Sequence, residues 1–163
     1  MLSLQELQSL SDKDILIYTG AKQKKRKLII PTEALNPRFY APSTNFNIAI
    51  DPIKVKRISK GERECKRVLE EYFQKPFYRV RPKELEGLEL DCFNPSLGIA
   101  CEYNGKQHYR YPSRYVKRKK EFIKGLRRDL YKIAICRKIG ITLIVVPYII
   151  KTREIKEFIL GYL

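Results

Sequence analysis

The chain has a single histidine, one methionine, no tryptophan, and four cysteines that nowhere pair as Cys-x-x-Cys. Metal-finger spacing is therefore absent. Cys65, Cys92, Cys101 and Cys136 are also too scattered to read as a disulfide framework at this length. Each falls within a periodic apolar segment, which predicts four reduced core side chains. Long apolar runs are missing too. The longest, Ile141–Ile150, is interrupted by Thr142 and Pro147 and is about half of what a bilayer span requires. No basic segment followed by an apolar run opens the chain. No secretory signal is legible, and an intracellular setting, cytoplasmic or nuclear, is expected. With 44% hydrophobic and 32% charged residues, the 163-residue chain is too apolar for a disordered polymer and too charged for a membrane protein. Its length is that of about one domain.

Negative charge is the other shortage. Thirty-four Lys+Arg face eighteen Asp+Glu, a net charge of +16. Such an excess repels itself in a compact fold and usually answers a polyanion: nucleic acid first, an anionic membrane second. Residues 1–60 hold 11 basic and 5 acidic side chains, residues 61–110 hold 9 and 9, and residues 111–163 hold 14 and 4. An acid-bearing centre between two basic flanks is the pattern of a site that binds a cation and a polyanion together.

The first sixty residues read differently from the rest. Leu2–Leu10 predicts a short helix, and Ser11-Asp12 caps a second around Asp14–Tyr18. Lys22–Lys27 is a basic run, a second clamp on a polyanion or merely a tail. Pro31–Pro52 carries four prolines and three asparagines with little periodicity, which predicts an extended or looping segment. Residues 1–57 are read as a basic arm or accessory segment and 58–163 as the domain proper.

From Ser59 onward the periodicities sharpen. Cys65, Val68, Leu69, Tyr72 and Phe73 form one apolar stripe at the helical period, opened by Ser59-Lys60-Gly61-Glu62. Phe77–Arg81, Leu88–Phe93 and Ile99–Asn104 read as strands, the last two joined as a hairpin through Asn94–Gly98. A basic, Tyr-rich loop (Tyr109–Lys120) leads to a helix over Glu121–Lys138 with Gly140 as its C-cap. Ile141–Val146 is a strand covered on both faces. Thr152 starts a last helix. The predicted order, α-β-β-β-α-β-α, is that of a mixed central sheet between helices.

Two acids stand in otherwise apolar strands. Asp91 lies between Leu90 and Cys92, and Glu102 between Cys101 and Tyr103. Burying an ionised carboxylate unpaired costs several kcal/mol, so both need a partner. Across a hairpin they can share a face, where they repel unless a cation or a proton lies between them. One or two carboxylates completed by water and phosphate oxygens is the donor set that Mg²⁺ prefers. The alternative partners are nearby arginines.

Glu62 on an opening helix, Asp91, and Glu102 in Ile99-Ala100-Cys101-Glu102-Tyr103-Asn104-Gly105-Lys106-Gln107-His108-Tyr109 together resemble the PD-(D/E)XK, or restriction-endonuclease-like, nuclease superfamily. The similarity is to its branch of small phage, viral and bacterial endonuclease-like proteins, with an E-Y-x-G-x-Q-H-Y strand end, an R-D-x-x-K helix and an I-x-L-I-x-x-P-Y strand. Arg128-Asp129-Leu130-Tyr131-Lys132 and Ile141–Tyr148 match the last two, so the resemblance runs from Ser59 to Tyr148.

The resemblance implies a three-layer restriction-endonuclease-like α/β core and hydrolysis of phosphodiesters with Mg (or Mn) as cofactor. Asp91 and Glu102 would hold the metal, and Glu62 would contact it through water. The metal would polarise the phosphate and activate a water for in-line attack. Where the family lysine is expected, two residues after Glu102, the chain has Asn104. Gln107 and Lys132, which fall in the branch's own motif, are the expected replacements. His108 is a candidate for proton transfer.

Plainer readings stand beside these. Ser59-x-x-Glu62 is also a helix capping box. His108 also reads as a hydrogen-bonded structural residue, and Asp129 as the ion-pair partner of Arg128 or Lys132. Lys106, Arg110, Arg114, Lys117, Arg118, Lys119, Lys120, Lys124 and Arg128 would usually be a solvated face. Beside a phosphate-cleaving centre they read as a backbone-binding surface, with Tyr109, Tyr111 and Tyr115 available to stack on bases. The expectation is a metal-dependent endonuclease acting on DNA rather than RNA, without a membrane partner; a homodimer would suit double-strand cleavage. The rival is a degenerate relative that binds nucleic acid without cutting it, as a packaging or virion component.

Overall fold

The computed structural model describes residues 1–37, 52–54 and 57–163. Most of the proline-rich segment Pro31–Pro52 lies outside the described residues. The chain is mixed α/β, with two sheets among the described residues, of strand orders β1-β2-β6 and β3-β4-β5-β7. It divides into two compact units. One comprises Met1–Asn36 with Asn104–Ile135, the other Pro37–Tyr103 with Cys136–Leu163. Residues 1–36, read above as part of an arm, thus fold with 104–135.

In the first unit, α1 (Leu4–Ser9) and α2 (Asp12–Tyr18) start at Ser3 and Ser11. Each serine accepts the backbone N–H three residues on, and Glu6 and Asp14 return the bond to the cap, so two orphan donors are satisfied at each start. The basic run becomes a hairpin, β1 (Lys22–Lys24) against β2 (Lys27–Ile29), and β6 (Arg110–Tyr111) pairs antiparallel with β2. Periodicity gives no sign of these strands. All three residues of β1 are exposed and only Leu28 of β2 is buried, so the apolar alternation that marks a strand is missing. The long helix α4 (Lys119–Ile139) contributes Phe122, Ile123, Leu126, Leu130 and Ile133 to the buried set, and Phe122 packs against Tyr111 at 5.8 Å between ring centroids. Arg127 ties α1 and α2 to α4. Its guanidinium donates to the carbonyls of Leu7 and Leu10, both at 2.9 Å, and pairs with Asp12 at 3.0 Å.

In the second unit, α3 (Lys60–Phe73) is capped by Ser59, whose hydroxyl accepts the Glu62 N–H. Of its predicted stripe, Cys65, Val68 and Leu69 join Phe77, Cys92, Ile99, Cys101, Ile144, Val146, Ile155 and Ile159 in one core, Phe73 packs half-buried against it, and Tyr72 is exposed. That core is contributed by α3, β4 (Leu90–Asn94), β5 (Ile99–Asn104), β7 (Thr142–Pro147) and α5 (Ile155–Leu160). β3 (Tyr78–Val80) pairs antiparallel with β4, and β4 with β5. The side chain of Asn94 shapes the β4–β5 turn by accepting the Leu97 N–H at 3.0 Å. All six residues of β7 are buried, as its unbroken apolar run predicts.

Gly140 ends α4 at φ +86°. The Ile141 N–H reaches back to the Cys136 carbonyl at 2.8 Å and the Gly140 N–H to that of Arg137 at 3.3 Å, the paired bonds of a Schellman cap. All four cysteines are free and buried. No helix among the described residues is long and apolar enough to cross a membrane.

Candidate metal centre and nucleic-acid interface

Register decides where the two strand acids go. Cys92 faces Cys101 and Phe93 faces Ala100, so Asp91 stands opposite Glu102 across β4 and β5. The Cys92–Cys101 pair points into the core with Cys65, and period-2 alternation puts Asp91 and Glu102 on the other face. A Glu102 carboxylate oxygen accepts the Asp91 N–H at 3.1 Å, and Glu102 is buried. The hairpin thus brings together the two carboxylates singled out from the sequence.

Glu62 arrives from the first turn of α3. Its carboxylate bonds Nη2 of Arg79, at the centre of β3, and Asp91 lies 3.3 Å from Nη1 of the same guanidinium. Glu89 bonds Arg79 Nη1 as well and pairs with Arg81 at 3.0 Å. Glu62, Arg79 and Asp91 line a cleft of about 380 Å³ together with Tyr78, Arg63 and Lys66. The Ser59 cap therefore forms, while Glu62 spends its carboxylate on this cluster.

The electrostatics follow from the crowding. Burial, then the neighbouring Asp91 carboxylate, pushes the Glu62 carboxyl above the usual carboxylate value, against the pull of Arg79. Burial works against the charged form of Arg79, but the hydrogen bond to Glu89 and the charges of Asp91, Glu62 and Glu89 raise its pKa overall. Burial likewise disfavours ionised Glu89, and its bonds to Arg79 and then Arg81 more than compensate, so its carboxyl is held below the usual value. In the core beneath, burial pushes the Cys92 thiol up. A hydrogen bond with Cys65, then burial, holds that of Cys101 well above its ordinary range.

Among the described residues, no group of three or more His, Cys, Asp or Glu side chains is placed to hold a metal ion. Mg²⁺ does not require such a group. It binds through one or two carboxylates and keeps its remaining positions for water and phosphate oxygens. Asp91 and Glu102 on one sheet face, with Glu62 in the Asp91 cleft, are an all-oxygen set of that kind. Counting Glu89, three carboxylates share the guanidinium groups of Arg79 and Arg81, and burial first, then the Asp91 charge, raises the Glu62 carboxyl. Asp91 and Glu102, with Glu62 beside them, are the residues that would hold a hard divalent cation. Sequence reasoning had weighed arginine partners only in general; Arg79 and Glu89 were missed as members. The available sign was a basic residue in the middle of an alternating strand segment, Phe77–Arg81.

The remaining predicted residues lie in the first unit. Gln107 and His108 sit in a 3-10 turn, Lys106–His108, just past β5. His108 Nδ1 is 2.7 Å from a carboxylate oxygen of Asp129 on α4. Asp129 is thus the partner of His108 where Arg128 or Lys132 was expected; Arg128, its i,i+1 neighbour, does not face it on the helix. Its residue is buried, and the carboxylate fixes the ring's orientation and favours a proton on the facing nitrogen. Lys132 follows one helical turn later on α4. Asn104, at the position of the family lysine, is buried.

Lys106, Arg110, Arg114, Lys117, Arg118, Lys119, Lys120, Lys124 and Arg128 are all exposed. Gln107, Lys106, Arg114, Tyr115 and Lys117 line a second cleft, of about 460 Å³. Of the three tyrosines suggested for base stacking, Tyr109 is buried to 1% exposure and cannot reach a base. Tyr111 is held against Phe122 with its hydroxyl donating to the Lys117 carbonyl at 3.2 Å. Tyr115 is 73% exposed, with the Arg114 guanidinium 5.9 Å from its ring centre. It alone of the three presents an open ring.

No family model and no solved structure matches the chain. Similar proteins occur in iridescent viruses and their relatives. Uncharacterized protein 033L of Invertebrate iridescent virus 3 is 41% identical over 111 residues, covering 64% of this chain and 57% of that protein. Uncharacterized protein 307L of Invertebrate iridescent virus 6 is 34% identical over 114 residues, 57% of this chain and 58% of that protein. The chain therefore spans little more than half the length of these two relatives. Uncharacterized protein 094L of Frog virus 3 (isolate Goorha) is 42% identical over 112 residues, 64% of this chain and 68% of that protein. On that identity and coverage, the chain belongs to the family of the Frog virus 3 protein 094L.

Proposed function

We propose that the chain is a metal-dependent endonuclease of the PD-(D/E)XK type, with a restriction-endonuclease-like core, acting on DNA in preference to RNA. The observation that carries this reading is the opposition of Asp91 and Glu102 across one antiparallel pair, with Glu62 brought into the Asp91 cleft. Asp91 and Glu102 would hold Mg²⁺ (or Mn²⁺), and Glu62 would reach it through water. When bound, the metal supplies Lewis-acid polarisation of the scissile phosphate and a more acidic water.

The chain's own residues do the rest. Buried Glu102 uses one oxygen on the Asp91 N–H, which fixes the carboxylate's direction before any ligand arrives. Asp129 orients His108 to accept or return a proton, the division of labour of a base and its orienter. The resemblance to the superfamily would give Gln107 and Lys132 the family lysine's part in steadying developing charge. The exposed cations of the first unit hold the phosphate backbone without reading sequence.

A second reading is favoured by one observation, the buried Asn104 where the family lysine belongs. A chain of this kind binds nucleic acid and does not cut it.

Nicking of supercoiled plasmid in Mg²⁺, Mn²⁺ or EDTA separates the two, with Asp91→Ala and Glu102→Ala as controls. The nuclease reading expects metal-dependent nicking that both variants abolish while plasmid binding persists. Salt-sensitive binding with no cutting of plasmid, RNA or branched DNA in either metal establishes the binding protein.

A further inference from the structure

The β1–β2 hairpin concentrates charge in a way that a solvated surface has no need of. Lys24 stands directly opposite Lys27, and Lys22, Ile29 and Arg110 form the next row across β1, β2 and β6. With period-2 alternation, Lys22, Lys24, Lys27 and Arg110 share one face of the sheet, all exposed. The two turn residues between the strands, Lys25 and Arg26, are basic and exposed as well. None of the hairpin's five cations forms an ion pair with another described residue.

Two local penalties coincide here. Like charges directly opposed across an antiparallel pair destabilise it. Lys25 adopts φ +56°, a left-handed conformation that a two-residue hairpin turn normally gives to Gly, Asn or Asp. The Gln23 side-chain amide braces that turn by donating to the Lys25 carbonyl at 3.2 Å. The repulsion is relieved when an anion lies between the strands' cations, and a lysine in place of glycine at the tip adds one more contact to it.

We infer that the hairpin tip, Lys24-Lys25-Arg26-Lys27, is a contact for the sugar-phosphate backbone of duplex DNA. This deepens the nucleic-acid part of the reading above and rests on it. The unit that carries the hairpin holds seventeen Lys+Arg against six Asp+Glu in its two segments, 1–36 and 104–135, which is the charge complement of a polyanion. The face offers no aromatic ring, since Tyr111 pairs in register with Leu28 and points the other way. A stacking platform for single strands is thus missing there, and a backbone contact is what remains. Ile29 is the only apolar side chain on the face, too little to enter an anionic membrane.

The test is binding of a fluorescent DNA duplex in EDTA over a series of salt concentrations, with a duplex RNA and vesicles of anionic lipid as parallel probes. The Lys24→Ala, Lys27→Ala double variant is expected to bind several-fold more weakly, with a log–log salt slope shallower by about two; Lys25→Gly flattens it by about one. Lys25→Gly also melts at an equal or higher temperature, since glycine suits the turn, so its weaker binding is not a folding defect. Arg153→Ala, an exposed charge of the other unit, keeps the wild-type slope.

If the wild-type chain binds DNA and both hairpin variants keep its affinity and slope, this contact is overturned while the nuclease reading stands. If the wild-type chain binds vesicles and neither duplex, the nucleic-acid reading falls with it. Binding confined to the RNA duplex overturns the assignment to DNA.

Discussion

Arg79 Nη1 lies 3.3 Å from a carboxylate oxygen of Asp91, with Glu62 and Glu89 on the same guanidinium. One strand arginine therefore holds three acids from α3, β4 and the segment before it. Removing it leaves like charges facing each other in a half-buried cleft. Arg79→Met is expected to lower metal-free stability by roughly 3 kcal/mol. Adding millimolar Mg²⁺ should recover part of the loss, because a divalent cation substitutes for the missing charge. Urea denaturation with and without the metal measures both; no recovery would argue against metal binding at these acids.

Glu62 and Glu89 respond to acid in opposite senses in the metal-free protein. The raised Glu62 carboxyl binds its proton more tightly folded than unfolded, so its contribution is present below the usual carboxylate pKa and is lost as pH rises through the folded value. The lowered Glu89 carboxyl contributes above the usual pKa and loses that contribution as pH falls through its folded value. Glu62→Gln should thus raise stability at pH 7, with the gain vanishing at strongly acid pH. Glu89→Gln should lower stability at pH 7, and its loss vanishes in acid. Denaturant midpoints from pH 7 down to pH 3 read out the two slopes.

The His108–Asp129 pair predicts non-additivity. Asp129→Asn turns the orienting acceptor into an amide, and a loss of about 10²-fold in nicking rate is expected with plasmid binding retained. His108→Ala should cost at least as much. The double variant should be no slower than His108→Ala alone, since the two act as one unit. Additive losses in single-turnover nicking would show that Asp129 acts elsewhere.

Gly61 is a matter of space. A Cβ built there falls within the Tyr103 ring. Gly61→Ala should destabilise the chain by about 1–3 kcal/mol, and Tyr103→Ala in the same background should recover part of that. Thermal melts of the two variants and their combination check the coupling.

The thiols should be silent. All four cysteines are buried, and the Cys92 and Cys101 thiols are pushed further from ionising. A thiol reagent at pH 8 is expected to label none in the native chain and all four in denaturant.

Much of the second unit was legible before any coordinates. The Cys65–Val68–Leu69 stripe, the Asn94–Gly98 reversal, the doubly covered β7 and the Gly140 cap each rest on local rules: helical period, turn chemistry, unbroken apolar runs and a positive φ. Those rules act within a few residues, so the chain states them directly. The opposition of Asp91 and Glu102 was half legible, because a hairpin fixes register once its turn is known. The partners were not. Arg79 reaches Glu62 from seventeen residues away, and His108 meets Asp129 across twenty-one. Nothing in local spacing encodes which guanidinium or which carboxylate will be nearest. The β1–β2–β6 sheet escaped for a different reason, since its strands are held by backbone hydrogen bonds and almost no apolar burial, so the period that reveals a strand was never written. The sequence alone thus settled the elements of the second unit, the charge imbalance and the two acids that stand in its strands, all of them local or additive properties. Tertiary structure decided which charges neutralise which, because that depends on three-dimensional proximity between segments that composition and periodicity cannot place.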